Sequence, residues 1–309
     1  MIDIGGKLCA PWQYSVDDNK NDFLVGYQSQ TDHSLASLHF LHGNGFAVGS
    51  YRHFLAHFAS DYNLLLQDAA GHGESSPGET FVGWNETASR FVRSLQSRLP
   101  QLPATERIGM GHSFGGCLTA LMSVQEPGLF DRIVLLDPAM YPPKVIWMMR
   151  GVRVSGLKRR LPMVRKATRR RTHWESLAKV KASFKGRGTF KGWQDRCLDD
   201  YIRYSVREDE DGQCYLRCPP WMEAAIFSSY PKGLWRLIRT VKVPTYIIQG
   251  ESSYGFFLEA HHLAARLNPN IKVVTVKGGH CFMQEDPAAA AQQVKSWLDS
   301  FDRATEHGS

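Results

Sequence analysis

The chain has 309 residues, 43% of them hydrophobic and 22% charged, the composition of an ordinary soluble globular protein with one large domain and an insertion, or two domains. No apolar run approaches the roughly 20 residues of a membrane-crossing helix, and Met1–Lys7 lacks the basic and apolar regions of a secretory signal. The net charge of +7 is uneven: residues 144–240 hold 23 Lys and Arg against 9 Asp and Glu, whereas the rest of the chain holds 14 against 21.

Two early strands are predicted at Trp12–Val16 and Phe23–Tyr27, with a polar turn between them at Asp17–Asn21. The next strand, Ser37–Leu41, runs straight into His42-Gly43-Asn44-Gly45. A helix capped near Ser50 then carries Tyr51, Phe54, Leu55 and Phe58 at helical spacing. A strand at Tyr62–Leu66 ends in the turn sequence Asp68–Ser75, and a helix over Trp84–Leu99 is stopped by Pro100. Ile108–Met110 is a short buried strand, and Cys117–Gln125 is the helix that follows it. Arg132–Leu136 is a further strand, ending at Asp137-Pro138. After the basic block the rhythm resumes with a strand over Pro244–Gln249, a helix over Phe256–Leu267 and a strand over Ile271–Val276. His280 follows in the loop Gly278–Phe282, and a helix over Pro287–Phe301 precedes a polar, loose tail at Arg303–Ser309. Strands separated by helices predict a mostly parallel central sheet with helices on both faces.

Between the Ile108 strand and its helix lies Gly111-His112-Ser113-Phe114-Gly115, the pattern Gly-x-Ser-x-Gly. A sharp strand-to-helix turn leaves one side chain standing alone, and its neighbours two residues away must be nearly free of side chain. Three such loops follow strands: His42–Gly45, the Ser113 turn and Gly278–His280. Their order and spacing resemble the α/β-hydrolase superfamily over about Ser37 to Phe301, apart from the central basic block. The Asp68–Ser75 turn is similar to a further turn of that superfamily.

The resemblance implies a role for each residue. Ser113 is the expected nucleophile. A hydroxyl attacks poorly at neutral pH, so a base must take its proton, and His280 is the expected base. Negative charge on a carbonyl oxygen calls for two backbone N–H donors, expected from Phe114 and Asn44, with Gly45 as the neighbouring alternative. His42, His72 and His112 are read as packing or bonding the loops rather than moving protons.

The orienting acid departs from the family pattern. Many relatives carry an Asp shortly beyond the glycine that ends the seventh strand, where this chain has Ser253. Asp137, at the end of the sixth predicted strand, is the preferred substitute and Glu251 the second. A Ser113–His280 dyad without an acid is a third reading, and Asp68 a weaker fourth. Serine at position 113 argues against the epoxide and haloalkane chemistry of an aspartate nucleophile. The expected reaction is hydrolysis of carboxylic esters or thioesters of small to medium acyl substrates through an acyl-enzyme, with no metal or organic cofactor. The reading from a different class is a non-catalytic scaffold that binds an anionic ligand, membrane surface or partner through its basic segment.

The expected layout is a core from residues 1–143 and 241–309, with residues 144–240 as a basic, mainly helical lid inserted after the sixth strand. Residues 150–191 alone hold 15 Lys and Arg against one acid, Glu175. Trp147, Met148 and Met149 are candidates to face a substrate cavity, and Trp174, Trp193, Trp221 and Trp235 add aromatic surface. The charge reads either as a solvated face or as attraction for an anionic acyl substrate or membrane surface. No nucleic-acid-binding module is recognisable, so nucleic acid is not an expected partner. Six scattered cysteines suit reduced thiols and a cytoplasmic location. Cys214 and Cys218 have no second Cys or His pair at ligand spacing, so zinc is not expected there.

Overall fold

The computed structural model describes residues 1–16, 19–156 and 161–306. Its strands, in chain order, are β1 (Ile2–Ile4), β2 (Lys7–Val16), β3 (Asn19–Ser29), β4 (Ala36–Leu41), β5 (Tyr62–Gln67), β6 (Arg107–His112) and β7 (Arg132–Leu136). The chain continues through β8 (His173–Trp174), β9 (Val206–Glu208), β10 (Cys214–Leu216), β11 (Thr245–Gly250) and β12 (Ile271–Val276). Nine of them form one sheet in the order β1-β2-β3-β5-β4-β6-β7-β11-β12. From β5 to β12 every pairing in that sheet is parallel, and the β1, β2 and β3 extension is antiparallel.

The burial pattern explains the division. β7 and β11 are buried at every residue, and β4, β5 and β6 at all but the first, as strands covered on both faces must be. β2 instead carries exposed residues along its length, as an outer antiparallel strand can. Alternate side chains feed two apolar layers. Leu64, Leu66, Val134 and Leu136 enter one layer with Phe54, Val294 and Trp297. Leu65, Ile133, Leu135 and Ile247 enter the other with Trp84, Phe91, Leu118 and Phe257. Each fully buried side chain of this size contributes about 1.5–3 kcal/mol relative to exposure.

Local differences from the expected elements have physical causes. In place of one helix near Ser50 there are three short helical segments, Val48–Tyr51, Arg52–Leu55 and Ala56–Phe58, none with a capping side chain. The buried Tyr51, Phe54, Leu55 and Phe58 set that path by packing. The closing helix runs from Pro287 to Glu306, into the tail expected to be loose, and residues 307–309 lie outside the described residues. β3 begins at Asn19, inside the expected Asp17–Asn21 turn, of which Asp17 and Asp18 are not described.

Between β7 and β11 lie the helices Pro143–Val154, Pro162–Thr168, Leu177–Phe184, Asp195–Ser205, Pro220–Phe227 and Leu234–Ile238. They are accompanied by a small antiparallel sheet, β8-β10-β9, that a mainly helical reading omits. Trp174 and Trp193 are buried there rather than forming surface, and Met149 is buried while Trp147 and Met148 point to solvent. Lys158–Arg160, part of the basic run, lie outside the described residues.

The helix Phe114–Gln125 leaves β6 in close contact with β4. The Gly115 N–H donates to the His42 carbonyl at 3.0 Å, and a Cβ at Gly115 would lie 2.3 Å from the Leu41 carbonyl oxygen. A methyl group cannot fit without moving backbone. Gly115→Ala is therefore expected to lower unfolding stability in urea by about 1–3 kcal/mol or more, and an unchanged midpoint would contradict this packing.

Candidate active site

The turn at the end of β6 holds Ser113 at φ 52° and ψ −112°. Among the described residues, two non-glycine residues have positive φ, Ser113 and Asp137 at 42°. Such backbone costs of order 1–3 kcal/mol and persists where its surroundings over-determine it. Here the two turns are stitched together: the Ser113 N–H donates to the Leu136 carbonyl at 2.9 Å, and the Ala139 N–H donates to the Ser113 carbonyl at 2.8 Å. The Asp137 N–H donates across to the Ile248 carbonyl of β11 at 2.7 Å.

His280 arrives from the loop after β12. Gly250, the last residue of β11, lets that loop approach, since a Cβ there would lie 2.2 Å from the Gly279 carbonyl oxygen. The Gly279 N–H donates to Glu285 Oε1 at 3.0 Å. The rings of Tyr254, Phe257 and His112 surround the His280 imidazole at centroid distances of 5.2, 5.5 and 4.8 Å.

Three of the expected residues meet in a row. His280 Nε2 lies 2.9 Å from Ser113 Oγ, and His280 Nδ1 lies 2.5 Å from Asp137 Oδ2. If Nδ1 carries the proton that Asp137 accepts, Nε2 is free to accept from the Ser113 hydroxyl. Asp137 is fully buried. Burial pushes its carboxyl up, but the His280 ring, the nearby His261 and the Ser253 hydroxyl outweigh that and hold it below the usual carboxylate range. Ser253 is thus not idle at the position where the family pattern expects an acid: its Oγ–H donates to the same Oδ2 that faces His280. Glu251 is exposed on the same loop. Asp68 serves its own turn, accepting from the Val48 N–H at 2.8 Å and the Glu74 N–H at 3.3 Å.

Asn44 lies on the loop after β4, and Phe114 follows Ser113. Among the described residues, neither backbone amide has a hydrogen-bond partner. The hydrogen bond from Gly115 to His42 brings the two segments side by side. The Gly45 amide, by contrast, already donates to His72 Nε2 at 2.9 Å. The Asn44 side chain is tied down: its Nδ2 donates to the Glu223 carbonyl at 3.2 Å. The Glu223 carboxylate in turn pairs with Arg170, whose guanidinium also donates to Tyr201 Oη at 2.7 Å. This Arg170–Glu223 pair against the Asn44 loop had no signature in the sequence.

The other motif histidines are buried and bonded. His42 Nδ1–H donates to the Gly43 carbonyl at 2.7 Å, and its Nε2 accepts from the Ala69 N–H at 2.9 Å. Burial pushes the pKa of His39 and His72 down to about 4 and that of His112 to about 3. In the unfolded chain these rings titrate near the ordinary value of about 6.5. Below that pH the unfolded state binds more protons than the folded one, so stability falls as pH drops from about 6.5 toward 4. The Asp68 and Asp200 carboxyls, raised by burial to about 7 and about 6, take up protons in the folded state and offset part of this loss. The depressed histidines outnumber them, so the urea midpoint is still expected to decline between pH 7 and pH 5, and a rising midpoint over that range would contradict neutral burial of these rings.

The chain matches the profile described as the alpha/beta hydrolase family over residues 40–293. It is 35% identical over 229 residues to the abhydrolase domain-containing protein ACTT2-1 of Alternaria alternata, covering 62% of this chain and 82% of that protein. It is 30% identical over 96 residues to a probable esterase of Oryza sativa subsp. japonica, covering 31% of this chain and 35% of that one. Among solved structures it resembles the peroxisomal α/β-hydrolase Lpx1 of Saccharomyces cerevisiae at a TM-score of 0.74 and 15% identity, over 96% of this chain and 90% of that one. It also resembles the Mycobacterium tuberculosis esterase Rv0045c at a TM-score of 0.68 and 19% identity, over 95% and 93% of the two chains. These two structural likenesses speak to fold alone; with the profile spanning most of the sequence, the chain belongs to the α/β-hydrolase family.

Proposed function

We propose that the protein is a serine hydrolase that cleaves carboxylic ester or thioester bonds of small to medium acyl substrates through an acyl-enzyme. The observation that carries this reading is the row Ser113 Oγ, His280 Nε2, His280 Nδ1 and Asp137 Oδ2, with contacts of 2.9 and 2.5 Å, built on a strained turn. Ser113 Oγ attacks the acyl carbon while His280 Nε2 takes its proton. The negative oxygen of the tetrahedral intermediate falls to the amides of Asn44 and Phe114, a donor of this type contributing about 3–4 kcal/mol in the transition state. His280 then returns the proton to the leaving alcohol or thiol. A water molecule repeats the attack on the acyl-enzyme, and Ser113 is restored. Asp137 holds the imidazole in the productive tautomer and stabilises its cationic form, while Ser253 positions that carboxylate.

The segment 144–240 acts in this reading as a lid domain on the core formed by 1–143 and 241–309. The contacts from Glu223 to Asn44, and from Trp193 and Tyr201 to Phe46 at centroid distances of 5.7 and 5.4 Å, support its place over the site. Contact with an anionic acyl substrate or membrane surface belongs to the same proposal. It is supported by exposed Trp147, Met148 and Val154 on one helix, exposed Arg165 and Lys166 on the next, and exposed Arg169 just after that helix. The six buried free thiols suit a reducing compartment and support a cytoplasmic location, and no described helix is long and apolar enough to cross a membrane.

Assays with p-nitrophenyl esters of increasing chain length test the chemistry. Ser113→Ala is expected to remove turnover while thermal unfolding stays unchanged, and an active Ser113→Ala protein would overturn the assignment. Asp137→Asn is expected to lower kcat by about 10³–10⁴-fold and Glu251→Gln by less than about 2-fold. The reverse ranking would move the acid to the β11 loop. Sedimentation with vesicles containing anionic phospholipid is expected to show binding that weakens from 50 mM to 500 mM salt, roughly a threefold shortening of the screening length. Salt-independent binding would remove the electrostatic part of the proposal.

A further inference from the structure

His112 sits beside the proposed nucleophile yet takes no part in the proton transfers described above. It is fully buried, as is Tyr51, and the hydrogen bonds around the pair have only one consistent direction. The Gly43 N–H can only donate, and Tyr51 Oη accepts it at 3.0 Å. The phenol's own proton then points to His112 Nδ1 at 2.7 Å, because burial keeps Tyr51 protonated. With Nδ1 accepting, a neutral His112 carries its proton on Nε2, and that N–H donates to the His280 carbonyl at 2.9 Å. One end of the chain of bonds is therefore Gly43, next to Asn44. The other end is the main chain of His280 itself. The fit is close: a Cβ at Gly43 would lie 2.8 Å from His112 Nδ1.

We propose that Tyr51 and His112 form a strut that sets the spacing between the loop carrying the Asn44 amide and the loop carrying His280. Both act as positioning residues rather than catalytic ones, and the proposal rests on the reading of Ser113 and His280 as nucleophile and base. The two loops come from the ends of β4 and β12, which β6, β7 and β11 separate in the sheet order. Those two strands are not neighbours in the sheet, so a separate element must hold the donor and the base at a common distance from one carbonyl carbon. A misplacement of about 1 Å at such a site costs on the order of 100-fold in rate.

The test uses p-nitrophenyl acetate with Tyr51→Phe, His112→Leu, His112→Asn and the double variant Tyr51→Phe/His112→Leu. Tyr51→Phe and His112→Leu are each expected to lower kcat by about 10–100-fold with KM within about 3-fold, since the loss appears once charge develops. Asn offers one acceptor and one donor, so His112→Asn is expected to recover most of the rate lost in His112→Leu. The double variant is expected to be no slower than His112→Leu, because both substitutions break the same chain of bonds. Full activity in the single variants, or losses that multiply in the double variant, would overturn the strut. If the unaltered protein turns over no ester, the hydrolase reading fails on its own, and the strut is decided instead by NMR of ¹⁵N-histidine-labelled protein at pH 7. The resonance lost in His112→Asn is expected to belong to a neutral ring protonated on Nε2, and a proton on Nδ1 would overturn the proposal. That NMR measurement needs neither a substrate nor a stable variant other than the one used for assignment.

Discussion

Strained backbone at two adjacent turns is the constraint on which the rest of the site depends. Ser113 and Asp137 both sit at positive φ, where a side chain meets the neighbouring carbonyl, and neither turn would hold that shape alone. Each is clamped by main-chain bonds to the other and, through Asp137, to β11. The strain is small beside the burial of β4 through β7 and β11, which supplies the rigidity that over-determines it. A parallel sheet covered on both faces is thus the means by which a hydroxyl and a carboxylate are fixed at the same edge.

The carboxylate raises a second problem, because a buried charge needs partners. Asp137 Oδ2 has two, His280 and Ser253, whereas the buried Oδ1 has no hydrogen bond among the described residues and faces His261 Nδ1 at 4.0 Å. His261 is itself occupied, with Gln249 Oε1 at 3.0 Å and the Pro138 carbonyl at 2.8 Å. The acid is therefore held mainly from one oxygen, on the side of the imidazole. That asymmetry concentrates its negative charge where a positive ring would form in the proposed reaction.

Much of the fold was legible in the sequence because its signals are local. The apolar runs at Ser37–Leu41, Tyr62–Leu66 and Arg132–Leu136 are buried strands, and each motif loop follows one, so the parallel sheet and its family could be read from spacing. The strands β8, β9 and β10 were not legible, because runs of two or three residues carry no measurable period and their pairing joins Trp174 to Cys214 across a long stretch of chain. At the site, Ser113, His280 and Asp137 were each named from their loops, and the structure brings those three together. What the sequence could not carry was the traffic between loops. Ser253 is 116 residues from the carboxylate it touches, and the histidine before the nucleophile is 61 residues from its tyrosine. Such pairs depend on where strand ends meet in space and leave no mark in local pattern.

The link from Asn44 to Glu223 carries a consequence for how this chain can diverge. Its acceptor is a main-chain carbonyl, so the amino acid at 223 can change without removing it, whereas the course of the backbone there cannot. A segment of another length or shape spliced between β7 and β11 would have to deliver a carbonyl oxygen to the same point. The segment between β7 and β11 and the loop that carries Asn44 are in that sense one mechanical part, and exchanging that segment between relatives would disturb the loop along with it.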